Sequence, residues 1–261
     1  MKTLEVLFAP AELAALPQRN LRQTICVVFD VLRATSSIVT ALANGAAAVI
    51  PVSDIAEALE WRRRQPAVLL AGERDGVRIR AHLTGGIDFD LGNSPREFTA
   101  AAAGGKTIVT TTTNGTRALR ACASAQRVFP CSFLNLRATV SLIERCSPEN
   151  LLLVCSGTRE HAALEDALAA GAMGDLMLQR DNEIQAADSA LMACELYRRA
   201  QSDLPSAVAR STNGRRLLAN PDLRDDVAWC LQRDVLELAV EMDTSGFVSR
   251  TTKSTSKPAT L

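Results

Sequence analysis

The chain has 261 residues, of which 47% are hydrophobic and 4% are aromatic, so its core must be built mainly from aliphatic side chains. Lysine plus arginine and aspartate plus glutamate each number 29, and this balance excludes a surface coated in positive charge for nucleic acid. The sequence has no apolar run of the roughly 18 residues that a membrane helix needs, and its N-terminus lacks the apolar core of a signal peptide.

The cysteines indicate a reducing compartment. There are seven of them, an odd number, and none is arranged as Cys-x-x-Cys. Most lie within apolar runs such as LLLVCSG. We therefore expect buried, reduced thiols and a cytoplasmic protein.

Short apolar or β-branched runs alternate with helical patterns along most of the chain. Such uniformly apolar runs are typical of strands that are buried on both faces of a sheet. The predicted strands cover residues 3–9, 25–29, 47–52, 67–71, 107–112, 127–131 and 151–155. Helices are predicted over 37–45, over 54–64 after Ser53 as N-cap, and from a capping box at Ser94–Glu97.

The C-terminal part of the chain has a different pattern. From about residue 160 it is mostly helical, and a closing strand is predicted at 235–240. Together these elements predict a three-layer α/β/α fold, with a mostly parallel mixed sheet and a helix-rich C-terminal third. We expect a single domain over 1–249, with two lobes divided near 125–150 as an alternative, and a disordered polar tail over 250–261.

Ligands of open α/β sheets bind beyond the carboxyl ends of the strands, and the segment VVFDVLRATSS (27–37) follows such a strand. There Asp30 could hold a hard cation, and Arg33 offers a fork of donors that matches phosphate or sulfonate. Thr35 and Ser36 begin a helix, whose free N–H groups favour an anion. The alternative is that these residues act only as turn and cap residues.

A second candidate segment is TIVTTTTNGTRAL (107–119). Thr112, Asn114 and Thr116 could cradle phosphoryl oxygens, while Gly115 would let the backbone approach a ligand closely. The Walker A pattern is absent. A tight Asn-Gly turn after an ordinary strand is the alternative.

Two further segments place polar residues near strand or helix ends. Glu73 and Arg74 follow a predicted strand, where a surface ion pair is the alternative interpretation. Asn93 and Ser94 lead into the predicted capping box, so a second helix N-terminus could face an anion. A functional role for each pair is better supported because the other candidate segments are expected at the same edge of the sheet.

The acidic pair of Glu165 and Asp166 lies on a predicted helix. Adjacent helical residues point about 100° apart, so only one of them is expected to face a metal, with Asp166 favoured. A solvated acidic patch is the alternative.

Covalent mechanisms have little support in the sequence. Cys131 begins a Cys-x5-Arg spacing, but the segment lacks the glycines with which a loop wraps around phosphate. Asp30 lacks the second aspartate of a phosphoaspartyl motif, because Leu32 occupies that position. We therefore predict Asp30 as a metal ligand first and as a nucleophile second.

Taken in order, these segments resemble the 2-phosphosulfolactate phosphatase family. The matching blocks are VVFDVLRATSSIVTALANGA, GER, FDLGNSPRE, TIVTTTTNGTRAL, FLNL and the GT…ED…AG stretch, within residues 4–240. The resemblance implies a Mg²⁺-dependent phosphatase that converts 2-phospho-3-sulfolactate to 3-sulfolactate and phosphate, as in coenzyme M biosynthesis. The site residues that it carries over are Asp30, Arg33, Thr35, Ser36, Glu73, Arg74, Asn93, Ser94, Thr112, Asn114, Gly115, Thr116 and Asp166.

The chemistry of these side chains suggests their roles. Catalytic roles are predicted for the charged residues, namely Asp30, Arg33, Glu73, Arg74 and Asp166. The neutral residues are predicted to bind the substrate and its phosphate. Asp30 is the preferred Mg²⁺ ligand, followed by Glu73 and Asp166, and water is the expected nucleophile.

One segment departs from the family pattern. The bridge over 75–88 is longer than is usual, and Asp88 stands where a glycine is expected. Because the bridge lies beside the predicted site, it could alter the choice of substrate. Two alternatives therefore stay open, a phosphatase of another phosphorylated hydroxy acid and a non-catalytic binder of small anions.

The expected partner of the protein is a small anionic phosphorylated molecule, and neither nucleic acid nor a membrane is expected to bind. The sequence leaves the oligomeric state open, and a homo-oligomer is one possibility.

Overall fold

In the computed structural model, which describes residues 1–251, eleven strands form one mixed sheet. The strands are β1 (Thr3–Leu7), β2 (Thr24–Phe29), β3 (Ala48–Pro51), β4 (Leu69–Arg74), β5 (Val77–Arg78), β6 (Thr107–Thr111), β7 (Arg127–Cys131), β8 (Asn150–Cys155), β9 (Gln185–Ala186), β10 (Val240–Met242) and β11 (Val248–Arg250). All seven strands predicted from apolar runs are present. The predicted disordered tail begins too early, because Arg250 belongs to β11 and the N–H of Thr251 donates to the carbonyl of Ala239. From position 252 onward the tail lies outside the described residues.

Helices connect most of these strands. They are α1 (Pro10–Leu13), α2 (Ala34–Ala43), α3 (Ile55–Arg64), α4 (Ala81–Thr84), α5 (Ala100–Ala103), α6 (Gly115–Ala121), α7 (Leu136–Cys146), α8 (Leu164–Arg180), α9 (Asp188–Ala200), α10 (Leu204–Val208), α11 (Thr212–Leu218) and α12 (Arg224–Cys230). The predicted α/β class, the mostly parallel mixed sheet and the helix-rich C-terminal third are confirmed. Across positions 1–251, no helix has both the length and the hydropathy that crossing a membrane requires.

The sheet consists of two groups of parallel strands that are joined by an antiparallel hairpin. One group has the order β7-β2-β8-β1-β9, and the other has the order β3-β6-β4 with β5 antiparallel at its edge. The hairpin of β10 and β11 lies between the groups, pairing Met242 with Val128 of β7 and Val248 with Val49 of β3. The hairpin pairs with each of these strands through one residue pair, so few backbone contacts connect the two groups of strands.

The helices α2 and α6 help to hold the two groups together. Val39 of α2 and Leu119 of α6 share one apolar cluster with Val28 of β2 and Ile108 of β6. On the other face of β2, Val27 packs with side chains from α7, α8 and α9. The central strands are thus buried on both faces, which explains their continuous apolar runs.

Some predicted element ends differ from the structure. The Ser94 hydroxyl does not cap a helix, because it donates to Asp226, and only a 3₁₀ turn (Pro95–Glu97) follows it. Helix α3 is capped by Asp54 rather than by Ser53. A polar side chain before a helical pattern can bond either the first turn of the helix or a group elsewhere in the protein. Tertiary contacts determine which of these it does. The closing strand starts at Val240, later than predicted.

Candidate active site

A cavity lies at the carboxyl ends of β2, β4, β6 and β8, which come from both groups of strands. Helix α11 of the C-terminal third also contributes to it. The residues that line it are Asp30, Leu32, Arg33, Glu73, Asp75, Gly76, Asn93, Thr112, Thr113, Asn114, Gly157, Thr158, Arg159, Asn213 and Arg216. The segments that follow separate strands therefore meet at one place, as expected for this type of sheet.

Asp30 follows β2 directly and is 9% exposed. Its Oδ1 accepts the N–H of Ala34 at 3.0 Å. Burial raises the pKa of Asp30 to about 7; the Ala34 hydrogen bond opposes this shift, and the charges of Glu73 and Glu165 add to it. A carboxyl group in this setting gains from binding either a proton or a cation.

This pKa shift makes the stability of the metal-free protein depend on pH. Between pH 4 and 7 the folded state keeps a proton on Asp30 that the unfolded chain has released, so stability falls as pH rises from about 4 to about 7 and changes little above that. In EDTA, we expect the free energy of unfolding in urea to be lower at pH 8 than at pH 5, by on the order of 3 kcal/mol from this group. The Asp30→Asn variant should show a smaller difference than the wild type, and an equal pH dependence in both proteins would contradict the assignment.

Gly115 allows α6 to approach Asp30. A Cβ atom at this position would lie 2.5 Å from the Cβ of Ala34 and 2.6 Å from Oδ2 of Asp30. The sequence indicated close approach to a ligand, whereas the structure places a protein carboxylate against this glycine. Its role is therefore to allow α2 and α6 to pack side by side at the site.

Replacing Gly115 by Ala should displace Asp30 or α2. We expect a loss of about 1–3 kcal/mol in the free energy of unfolding, because the added methyl overpacks the contact. Urea unfolding measures this loss. Arg117→Ala, on the exposed side of the same helix where Arg117 bonds Glu160, should change it by less than about 1 kcal/mol. Similar values for the two variants would show that the contact is not tight.

The hydroxyl groups predicted to bind phosphate after β2 are turned toward the backbone. Thr35 donates to the carbonyl of Asp30 at 2.9 Å, and Ser36 donates to the carbonyl of Val31 at 2.8 Å. Both side chains are fully buried, and neither lines the cavity. They fix the loop that carries Asp30 rather than face the cavity.

Arg33 lines the cavity, but protein groups occupy much of its fork. Its Nη1 donates to Asp226 Oδ2 at 2.7 Å, and its Nη2 donates to the carbonyl of Gly76 at 2.5 Å. Asp226 is fully buried on α12 and also accepts from the Ser94 hydroxyl at 2.6 Å and from Nε of Arg96 at 2.8 Å. Asp226 therefore orients Arg33 and joins three segments of the chain.

Glu73 links two loops at the cavity. Its Oε2 accepts the N–H of Gly76 at 2.7 Å, and its Oε1 accepts both the N–H and the hydroxyl of Thr113 at 2.8 Å. Arg74 does not line the cavity; it donates to the hydroxyl of Thr111 at 3.1 Å and to the carbonyl of Glu73 at 2.7 Å. Glu73 thus shapes the site, while Arg74 ties β4 to β6.

The loop after β6 contributes Thr112 and Asn114 to the cavity. The Asn114 amide donates to the carbonyls of Ser156 at 3.0 Å and Arg159 at 2.8 Å, and it accepts the N–H of Arg159 at 3.0 Å. Thr116 lies behind this loop, where its hydroxyl donates to the carbonyl of Thr112 at 3.2 Å. Asn114 therefore organises the loop that follows β8.

Asn93 and Ser94 lie on opposite sides of one loop. Asn93 lines the cavity, and its carbonyl accepts the hydroxyl of Ser37 at 2.8 Å. Ser94 faces Asp226 instead. Only the first of the pair is placed to contact a ligand.

Asp166 is buried behind the cavity near the start of α8. It accepts the N–H groups of Val31 at 2.8 Å and Gly157 at 3.1 Å. Burial, together with the charges of Asp30 and Glu165, raises the pKa of Asp166 well above its ordinary value. Both acids of the predicted pair are buried, so the pair is not a solvated acidic patch. Asp166 supports the loops after β2 and β8 from behind.

The predicted metal ligands are not brought together as a set of three. Within residues 1–251, no three His, Cys, Asp or Glu side chains converge as metal ligands would. Both oxygens of Glu73 and of Asp166 already accept protein donors. Mg²⁺ takes one or two carboxylates and keeps several waters, so the donor set fits a Mg²⁺ held mainly by Asp30.

The residues at the site that were not predicted from the sequence include four whose side chains orient other groups or offer a positive charge. They are Arg159, Asn213, Arg216 and Asp226. One signal was available, because Thr212-Asn213-Gly214 repeats the tripeptide of residues 113–115. Asp226 had no such signal, since an acid in the first turn of a helix usually needs no further explanation.

Comparison with known proteins shows which family the chain belongs to. A sequence model of the 2-phosphosulpholactate phosphatase family matches residues 12–245. A relative from Caldicellulosiruptor saccharolyticus, named "Probable 2-phosphosulfolactate phosphatase", is 36% identical over 225 residues, which are 85% of this chain and 90% of that protein. Relatives of the same name from Thermotoga petrophila and Gloeothece citriformis are 40% and 37% identical, each over 81% of this chain and 86% of the relative. The chain therefore belongs to the 2-phosphosulfolactate phosphatase family, a family of phosphoric monoester hydrolases.

Proposed function

We propose that the protein hydrolyses 2-phospho-3-sulfolactate to 3-sulfolactate and phosphate. Family membership supports the reaction class. The observation that carries the proposal is the cavity itself, where the buried carboxyl group of Asp30 lies among Arg33, Arg159 and Arg216. A substrate with a phosphate, a carboxylate and a sulfonate has about four negative charges near neutral pH. The three arginines offer donors to these groups, and a bound cation would be needed as well, because the carboxylates of Asp30, Glu73 and Asp75 also line the cavity.

Mg²⁺ is the proposed cofactor, with Asp30 as its principal protein ligand. When bound, it would neutralise charge on the phosphoryl group and on the leaving oxygen. Arg33, held by Asp226, would face the phosphoryl oxygens and stabilise the charge that develops on them. Glu73 keeps the Gly76 and Thr113 loops closed around the substrate, and water would attack the phosphorus.

A place in a coenzyme M type of biosynthesis and a cytoplasmic location belong to the same proposal. The seven free cysteines among the described residues support the location. A second candidate is a phosphatase of another phosphorylated hydroxy acid. The long bridge favours it, because Asp75 and Gly76 at the start of that bridge line the cavity.

Phosphate release from a panel of substrates tests the proposal. The panel is phosphosulfolactate, phospholactate and phosphoglycerate, each with Mg²⁺ and again with EDTA. We expect kcat/KM to be highest for phosphosulfolactate, by about 100-fold or more, since a site built for a charged group rejects analogues that lack it. Equal rates across the panel would favour the second candidate. If no substrate releases phosphate, the proposal is wrong and the protein is better described as a binder of small anions.

A further inference from the structure

The three arginines that line the cavity differ in their partners. Arg33 is buried and paired with Asp226 at 2.7 Å. Arg159 lies 3.6 Å from Asp75, and both side chains are largely exposed. Arg216, on α11, has no carboxylate within 4.0 Å among residues 1–251. It is therefore the arginine whose charge is least compensated by the protein.

The guanidinium of Arg216 is nevertheless held in place. It lies against the Cα of Gly76, where a Cβ atom would be 3.7 Å from both Cζ and Nε of Arg216. Its Nη2 donates to Oδ1 of Asn213 at 3.1 Å. One edge of the guanidinium is thus fixed by protein contacts, and the remaining N–H groups are left for a ligand.

Asn213 can accept from Arg216 only because its amide is oriented by other groups. Its Nδ2 donates to Oε1 of Glu165 at 2.7 Å and to the hydroxyl of Thr158 at 2.6 Å. Both amide hydrogens are used, so the amide oxygen must face Arg216. Glu165 is 1% exposed, and its Oε2 has no hydrogen-bond partner within the part of the chain that the structure describes. Burying a carboxyl group in this way costs free energy, which points to a functional reason for keeping it.

We propose that Arg216 binds an acid group of the substrate that is not transferred, and that Asn213 and Glu165 are positioning residues for its guanidinium. The inference rests on the proposed function, which requires a second anion site beside that for phosphate. A guanidinium fork matches the oxygens of a sulfonate or a carboxylate in a bidentate manner. Arg216 is then a specificity-determining residue, because a substrate with phosphate alone does not use it.

Calorimetric titration with the product 3-sulfolactate and with inorganic phosphate, both with Mg²⁺ present, separates the two anion sites. In Arg216→Gln we expect the Kd of 3-sulfolactate to rise about 30-fold, which corresponds to about 2 kcal/mol, while that of phosphate changes less than about threefold. Arg215→Gln is the matched control, since Arg215 is on the same helix and bonds the carbonyl of Arg210. An unchanged affinity for 3-sulfolactate, or an equal loss for both ligands, would overturn the assignment.

Kinetics then show which acid group is bound. If Arg216→Gln raises KM for phosphosulfolactate but not for phospholactate, the group is the sulfonate; if it raises both, the group is the carboxylate. Either result supports the proposal, whereas no change in either KM contradicts it. Activity of the wild type on phosphosulfolactate tests the proposed function separately. If the wild type is fully active and Arg216→Gln has unchanged KM and product affinity, the role of Arg216 is wrong while the proposed function stands.

The positioning role has its own test. Asn213→Ala should weaken 3-sulfolactate binding but add little to the loss in Arg216→Gln, because the two residues act through one guanidinium. Glu165→Ala should weaken binding in the same way, and Glu165→Gln should preserve it, since its amide oxygen can still accept from Asn213. Additive losses in the double variant would contradict the role of Asn213. Equal losses in the two Glu165 variants would contradict that of Glu165.

Discussion

Asp30→Asn should reduce kcat for phosphate release by about 10³-fold or more with saturating substrate and Mg²⁺. The amide has the same shape and can still accept the N–H of Ala34, so the fold of the loop is retained. It cannot balance the charge of a cation, which is the role proposed for this carboxylate. The variant should be at least as stable as the wild type at pH 8, because a buried charge has been removed.

The loss of activity without loss of stability is what identifies Asp30 as part of the chemistry. Steady-state phosphate release and urea unfolding on the same preparation measure both quantities. Asp243→Asn, in the exposed turn between β10 and β11, is the control and should leave turnover unchanged. Turnover near the wild-type rate in Asp30→Asn, still dependent on Mg²⁺, would refute the assignment of Asp30.

Asp226→Ala should be the most destabilising single substitution near the site. The wild-type carboxylate is fully buried and accepts from Arg33, Arg96 and Ser94. Removing it leaves the 3% exposed guanidinium of Arg33 without its anionic partner, and breaking a buried pair in this way costs about 3–5 kcal/mol. We expect a corresponding drop in the free energy of unfolding in urea at pH 7.

The neighbouring Asp225 provides a matched control for that experiment. It is on the same turn of α12 and contacts Arg96 at 3.3 Å, but its side chain is 67% exposed. Asp225→Ala should therefore cost less than about 1 kcal/mol. Asp226→Asn, which retains one acceptor oxygen, should fold more stably than Asp226→Ala yet remain less active than the wild type. Similar stabilities of the Asp225→Ala and Asp226→Ala variants would contradict the bridging role of Asp226.

The strand ends were the part of the site that the sequence could predict. Apolar runs located β2, β4, β6 and β8, and the rule that ligands bind at carboxyl ends brought Asp30, Glu73, Thr112 and Asn114 to one cavity. These positions follow from local pattern plus a general property of parallel sheets. No knowledge of long-range contacts was needed.

The orientation of polar groups could not be predicted in the same way. Thr35 and Ser36 are compatible with either a ligand or a backbone carbonyl until the surrounding loop is known. Asp226 reaches the site from α12, about 190 residues after Arg33 in the sequence, and Asn213 reaches it from α11, about 100 residues after Asn114. No local rule connects residues at such separations. The position of the β10–β11 hairpin between the two groups of strands could not be predicted for the same reason. Its pairings with β7 and β3 join residues that are far apart in the sequence.

That hairpin has a consequence for how the protein is made. The residues that connect the two parallel groups, 240–250, leave the ribosome after all the residues that line the cavity, and α11 and α12 emerge shortly before them. N-terminal segments can begin to fold during synthesis, but the cavity needs strand ends from both groups. A nascent chain is therefore not expected to bind substrate until residues 240–250 have emerged, and a truncation before position 240 should yield a protein without a competent site.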